Sequence, residues 1–185
     1  MVVYHEATVE EEGQSEAQGT EENLRNCGIG TGNAMDIATK TQDADAPSKY
    51  VLASTPFQVP IIKPDHDKPD PKFGVGLLHW SPRDRFMVSR NDNMPQTLWV
   101  WDTRRLALCS VINQISSVKE AQWDPKRSRL AVCTGNRKLY MWSPAGCSIV
   151  DIPTTNNFSV RSLRWCPDGN SLLLLDKNKY FPSLY

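Results

Sequence analysis

The residues of this chain that could do chemistry are too scattered to do it together. His5, His66 and His79 are its three histidines, and none has a partner at metal-ligand or triad spacing. Asp65, Asp67 and Asp70 crowd three carboxylates into one loop, but that loop lacks the glycine and terminal glutamate of a calcium loop. The five cysteines (Cys27, Cys109, Cys133, Cys147, Cys166) are odd in number and hold no C-x-x-C, which argues against a disulfide framework or a zinc ribbon. Those expected in strands (Cys109, Cys133, Cys147, Cys166) read as small buried hydrophobes rather than reactive thiols. Cys27-Gly28-Ile29-Gly30-Thr31-Gly32-Asn33 spaces its glycines like a phosphate loop, yet a polar acidic stretch stands where a strand is needed, so it reads as a flexible segment. The resulting expectation is a non-enzymatic chain with no cofactor and no metal.

Charge is the chemistry that remains. Arg83, Arg85, Lys126, Arg127 and Arg129 lie in or beside the turns between first and second strands, and Arg104-Arg105 sit at the turn after a third strand, on the same end. Together they read as a basic arc for an acidic partner. That partner is an acidic coiled coil, an acidic tubulin tail, or the chain's own glutamate-rich start; the competing reading is ordinary solvation of loops. Trp99 and Tyr140 read as exposed aromatic contacts, with packing between sheets as the alternative.

These residues acquire meaning only through the elements that place them. Three stretches align: Val75-Gly-Leu-Leu78-His-Trp80-Ser-Pro82, Val118-Lys-Glu-Ala121-Gln-Trp123-Asp-Pro125 and Val160-Arg-Ser-Leu163-Arg-Trp165-Cys-Pro167, at offsets of 43 and 42 residues. Each is followed by a polar turn and an apolar run. In two copies a third run follows, Leu98–Asp102 and Leu139–Ser143, and then a fourth, Leu106–Ile112 and Cys147–Val150. Runs this short, separated by turn residues, predict β-strands, four antiparallel strands per unit of about 42 residues. That is the period and strand count of a propeller blade, which is covered on both faces and so tolerates continuous apolar runs. The proline after each tryptophan ends the first strand, since it lacks the ladder N–H. Trp80, Trp123 and Trp165, with Trp101 and Trp142, are expected in the core.

On these residues the chain resembles the WD40-repeat family. Trp101-Asp102 and Trp142-Ser143 close the third strand of their units, and Trp-Ser-Pro-Arg-Asp follows the first blade boundary. The Gly-His pair of the family is absent from all three copies, and only one unit keeps Trp-Asp. The segment Ile61–Gly76 and the blades after it resemble a centrosomal branch of that family over roughly residues 40–185. The resemblance implies an all-β, incomplete WD40 β-propeller within a longer parent that holds the missing blades. It further implies a scaffold in the cytoplasm and cytoskeleton, at centrosomes and spindle poles, supporting microtubule anchoring and cilium assembly. Its implied partners are the SSX-interacting centrosomal anchoring protein and pericentriolar proteins.

The 185 residues carry 21 basic and 21 acidic groups, but the balance is split: residues 1–72 hold 13 acids and 6 bases, residues 73–185 hold 8 and 15, or −7 against +7. Residues 1–22 contain seven glutamates and no lysine or arginine, too little apolar surface to offset ordering. The expected organisation is 1–50 acidic and mostly disordered, 51–72 a proline-rich connector, 73–112 and 113–152 two blades, and 153–185 a truncated third with Pro182 inside its third strand. No run reaches the ~20 apolar residues of a membrane helix. Met1–Glu6 lack the pattern of a secretory signal, so a reduced intracellular protein is expected and Asn157-Phe158-Ser159 carries no glycan. Two and a half blades cannot close a ring, so open edges should drive pairing or insolubility when the chain is expressed alone. The alternatives are a nucleic-acid-binding propeller, unlike a single-strand binder in lacking interleaved aromatic and basic residues, and a ubiquitin-ligase substrate receptor.

Overall fold

A computed structural model describes residues 1–9, 46–54, 56–64, 67, 69, 71–153 and 158–184. The glycine segment Cys27–Asn33, most of the glutamates of the start, Asp65, His66 and Asp70 lie outside these residues. Thirteen strands are described: β1 (Val2–Thr8), β2 (Ser48–Leu52), β3 (Val75–Trp80), β4 (Phe86–Asn91), β5 (Thr97–Asp102), β6 (Ala107–Asn113), β7 (Glu120–Trp123), β8 (Leu130–Cys133), β9 (Lys138–Ser143), β10 (Gly146–Asp151), β11 (Ser162–Trp165), β12 (Ser171–Leu175) and β13 (Tyr180–Leu184). They form three sheets with the orders β2-β1-β6-β5-β4-β3, β10-β9-β8-β7 and β11-β12-β13. Within each, the repeat strands meander antiparallel. The architecture is all-β, with meandering sheets stacked face to face in the manner of propeller blades.

The repeated Trp-x-Pro builds the same turn three times. Ser81 N donates to Phe86 O, Asp124 N to Arg129 O and Cys166 N to Ser171 O, at 2.8, 2.8 and 2.9 Å. Two apolar layers hold the sheets face to face. Phe86, Val88, Leu98 and Val100 of the first meet Ala121, Trp123, Leu130, Val132, Tyr140 and Trp142 of the second. Ala131, Cys133 and Leu139 of the second meet Leu163, Leu172 and Leu174 of the third. Covered on both faces, β8 is buried at all four positions, as continuous apolar runs require. Pro182 is accommodated in β13, opposite Leu173, at the outer edge of the third sheet.

The start of the chain corrects the sequence expectation. Val2–Thr8 and Ser48–Tyr50 are ordered strand rather than disordered tail, and β2 runs on through Val51 and Leu52. β1 pairs parallel with β6, Val2 opposite Ser110 to His5 opposite Asn113, and β2 pairs antiparallel with β1. The burial of β1 follows no simple alternation, its buried residues being Val3, Glu6 and Ala7, so no strand pattern marks it in the sequence. Val3 is buried, and Tyr4 and Tyr50 pack on the first apolar layer. The carboxylate of Glu6 is buried and saturated: Ser48 Oγ donates to it at 2.7 Å, Ile115 N at 3.0 Å and the Tyr140 hydroxyl at 2.9 Å. The buried Lys138 ammonium donates to Ser48 Oγ at 2.8 Å and to the Ala46 carbonyl. One buried acid–base network therefore ties β1 and β2 to β9 of the second sheet and to Ile115, just past β6. Paired and bonded charges can be buried where isolated ones cannot.

Candidate protein-interaction surfaces

In an antiparallel meander the turn from first to second strand and the turn from third to fourth fall at one end. Thr103 shows this directly: its N donates to Arg85 O at 3.0 Å and its hydroxyl to Arg85 O at 2.8 Å and to Asp84 O. That end carries Arg83, Arg85, Arg104, Arg105, Lys126 and Arg127, all exposed. Two buried aspartates hold the turns beneath them. Asp102 Oδ1 accepts Arg104 N at 3.1 Å and Arg105 N at 3.2 Å. Asp124 Oδ1 accepts Lys126 N at 2.8 Å and Arg127 N at 3.1 Å.

Arg129 does not share the solvent with the others. Its Nε and Nη2 grip Asp124 Oδ2 at 2.8 and 2.6 Å, and Nη2 also donates to Gly169 O at 3.1 Å. Its guanidinium lies 5.2 Å from the centre of the Trp165 ring. Arg129 thus clamps the second sheet to the third, a bidentate and stacked role for which lysine is no substitute. Gly169 is part of the same approach. Its φ is +70°, and a Cβ there would meet Asp124 Oδ1 at 2.7 Å. Pro125 and Pro167 stand exposed in these turns and Pro82 half-buried.

The aromatic expectations need correction. Tyr140 is 1% exposed, pinned by Glu6 and by Asn136 Nδ2 at 2.7 Å, so it is no exposed contact. Burial, then the nearby Glu6 carboxylate, pushes its hydroxyl pKa well up. Trp99, its register counterpart, is half-buried. Trp80, expected in the core, is 53% exposed, whereas Trp123 is 9% exposed. The reason is the neighbour. Trp123 Nε1 donates to His79 O at 3.0 Å and Trp165 Nε1 to Gln122 O at 3.2 Å, each reaching the first strand of the preceding sheet. No such sheet precedes Trp80 among the described residues, so Phe73, Val75, Leu78 and Trp80 form an exposed apolar face. Trp101 Nε1 donates to Ser89 Oγ at 3.0 Å. Val132 takes Ser89's register position in the second sheet, and the Trp142 Nε1 there is buried with no partner among the described residues.

His79 Nδ1 lies 2.9 Å from Ala121 O, bridging two sheets. Among the described residues no group of three His, Cys, Asp or Glu side chains could hold a metal, and no helix is long and apolar enough to cross a membrane. Sequence reasoning missed Glu6, Ser48, Lys138 and Leu106. Of these Leu106 left a signal: a large apolar residue closing an Arg-Arg turn, where glycine or asparagine is usual.

No protein-family model matches the chain. It is 45% identical over 133 residues to WD repeat-containing protein WRAP73 of Mus musculus, a match over 72% of this chain and 29% of that protein. The similarity supports a place in the WD-repeat family. The chain spans less than a third of this relative's length. Among solved structures, a chain of the crystal structure of the mitotic checkpoint complex superposes with a TM-score of 0.46 at 22% identity, covering 60% of this chain and 38% of that one.

Proposed function

We propose that the chain is a non-enzymatic scaffold segment that works by binding proteins, in centrosome and spindle-pole organisation, microtubule anchoring and cilium assembly. One observation carries the binding reading: six exposed basic side chains share one end of the stacked sheets, and the buried Asp102 and Asp124 hold the turns that carry four of them, Arg104, Arg105, Lys126 and Arg127. Fixed cationic turns on a rigid support suit an acidic protein surface, which they steer and orient. The centrosomal part rests on the resemblance of Ile61–Gly76 and the following sheets to that branch of the family, supported by the similarity to WRAP73. The partners then proposed are the SSX-interacting anchoring protein and pericentriolar proteins, with the cytoskeleton as location. Proximity labelling in cycling cells tests this. Enrichment of pericentriolar proteins is the expected result. Enrichment of ligase subunits or RNA-processing factors in their place would overturn it.

A further inference from the structure

We propose that Leu106, with the arginines around it, is a docking point for an acidic protein segment that carries an apolar side chain. Leu106 closes the four-residue turn Thr103–Leu106 between β5 and β6. It is 91% exposed, and its φ of +48° lies in the left-handed region that glycine and asparagine adopt freely and a bulky residue does not. Two costs therefore meet in one residue, and neither serves the fold: the side chain adds nothing to either apolar layer.

The surroundings say what would cover it. The turn beside it, joined through Thr103, places Arg83 and Asp84 at φ of +67° and +53°. Arg85 stacks over the Phe86 ring at 5.0 Å, which fixes its guanidinium. Arg83, Arg85, Arg104 and Arg105 thus lie in the two joined turns that also carry the exposed leucine, against two carboxylates. Asp84 is exposed, and Asp102 is buried, 3.9 Å from Arg105 Nε. An apolar anchor rimmed by arginine has the composition of an interface hot spot. The excess positive charge selects an acidic partner. A leucine offers bases no stacking platform, and a single one anchors no membrane, so a protein segment is favoured over nucleic acid or lipid. Val9 N donates to Pro47 O at 3.1 Å, and this contact sits at the end opposite these arginines.

This goes beyond the scaffold reading and holds whichever assembly the chain joins, so either test can fail without the other. A random peptide library displayed on phage is selected against the immobilised full chain, and the affinities of enriched peptides are measured by fluorescence anisotropy at two salt concentrations. The expected consensus places Asp or Glu around Leu, Ile or Phe. Leu106→Gly and Leu106→Asn should weaken these peptides roughly tenfold or more while melting at or above the parent temperature, because strain is relieved. Arg104→Glu combined with Arg105→Glu should weaken them most at low salt. The proposal is overturned if no acidic–apolar consensus emerges, if the consensus ignores both Leu106 variants, or if both variants melt lower than the parent. It is equally overturned if poly(U) RNA or phosphatidylserine vesicles bind more tightly than every selected peptide.

Discussion

Trp123→Phe and Trp80→Phe are the same substitution at equivalent places in successive units, and the structure assigns them different costs. Trp123 lies between Phe86, 6.4 Å away and stacked, and Trp142, 5.8 Å away and edge-on, and its N–H reaches His79 O. Phenylalanine there loses that hydrogen bond, worth about 0.5–1.5 kcal/mol, more if the carbonyl is left unpaired. It also leaves a void of roughly 40 Å³, which at about 24 cal/mol per Å³ adds about 1 kcal/mol. The sum is about 2 kcal/mol, or about 4–8 °C in melting temperature for a chain of this size. Trp80 is half in solvent with no carbonyl facing its N–H among the described residues, so its replacement should stay within about 0.5 kcal/mol. Urea unfolding followed by circular dichroism measures both. Equal losses would refute the argument that the preceding sheet, and not the tryptophan itself, makes this position a core position.

The remaining predictions concern the buried network, pH and thiol access. Glu6→Ala strips the Tyr140 hydroxyl and the Ile115 amide of their acceptor, so stability should fall by about 2–4 kcal/mol. Hydrogen exchange should then rise across β1 and β2 while β8 and β9 stay protected. Burial pushes the Glu120 carboxyl up, but hydrogen bonds from Ser162, the Leu163 amide, Arg164 and Gln122 outweigh it and hold its pKa below 4.5. Its stabilisation is therefore complete above that value and lost as pH falls through the lower folded one. Glu120→Gln should flatten stability against pH below about 4.5, and an unchanged acid limb would contradict the assignment. Burial pushes the Cys133 and Cys147 thiols up to about 12, whereas Cys166 is exposed. Cys166 therefore departs from the buried position expected of it, and iodoacetamide at neutral pH, mapped by mass spectrometry, should modify it well before Cys133 or the half-buried Cys147.

Much of the repeat unit was legible in the chain alone. Short apolar runs bounded by Trp-x-Pro turns specify antiparallel strands through local sterics and a missing proline N–H, and those are properties of neighbours in sequence. The clustering of basic turns followed from the same meander. Three things were not local. The β1–β6 pairing joins residues 108 apart and is stabilised by contacts that no spacing rule anticipates, such as Tyr140 to Glu6. Arg129 looked like one more surface cation until Asp124 and Gly169 were placed around it. Trp80 and Trp123, and likewise Trp99 and Tyr140, are equivalent in sequence yet differ in exposure, because burial is conferred by whichever sheet packs against them. The sequence by itself thus determined what each sheet is. Only the tertiary structure decided which of its faces are covered, because a hydrophobic face is stabilised by the surface it meets and that surface lies far away in the chain.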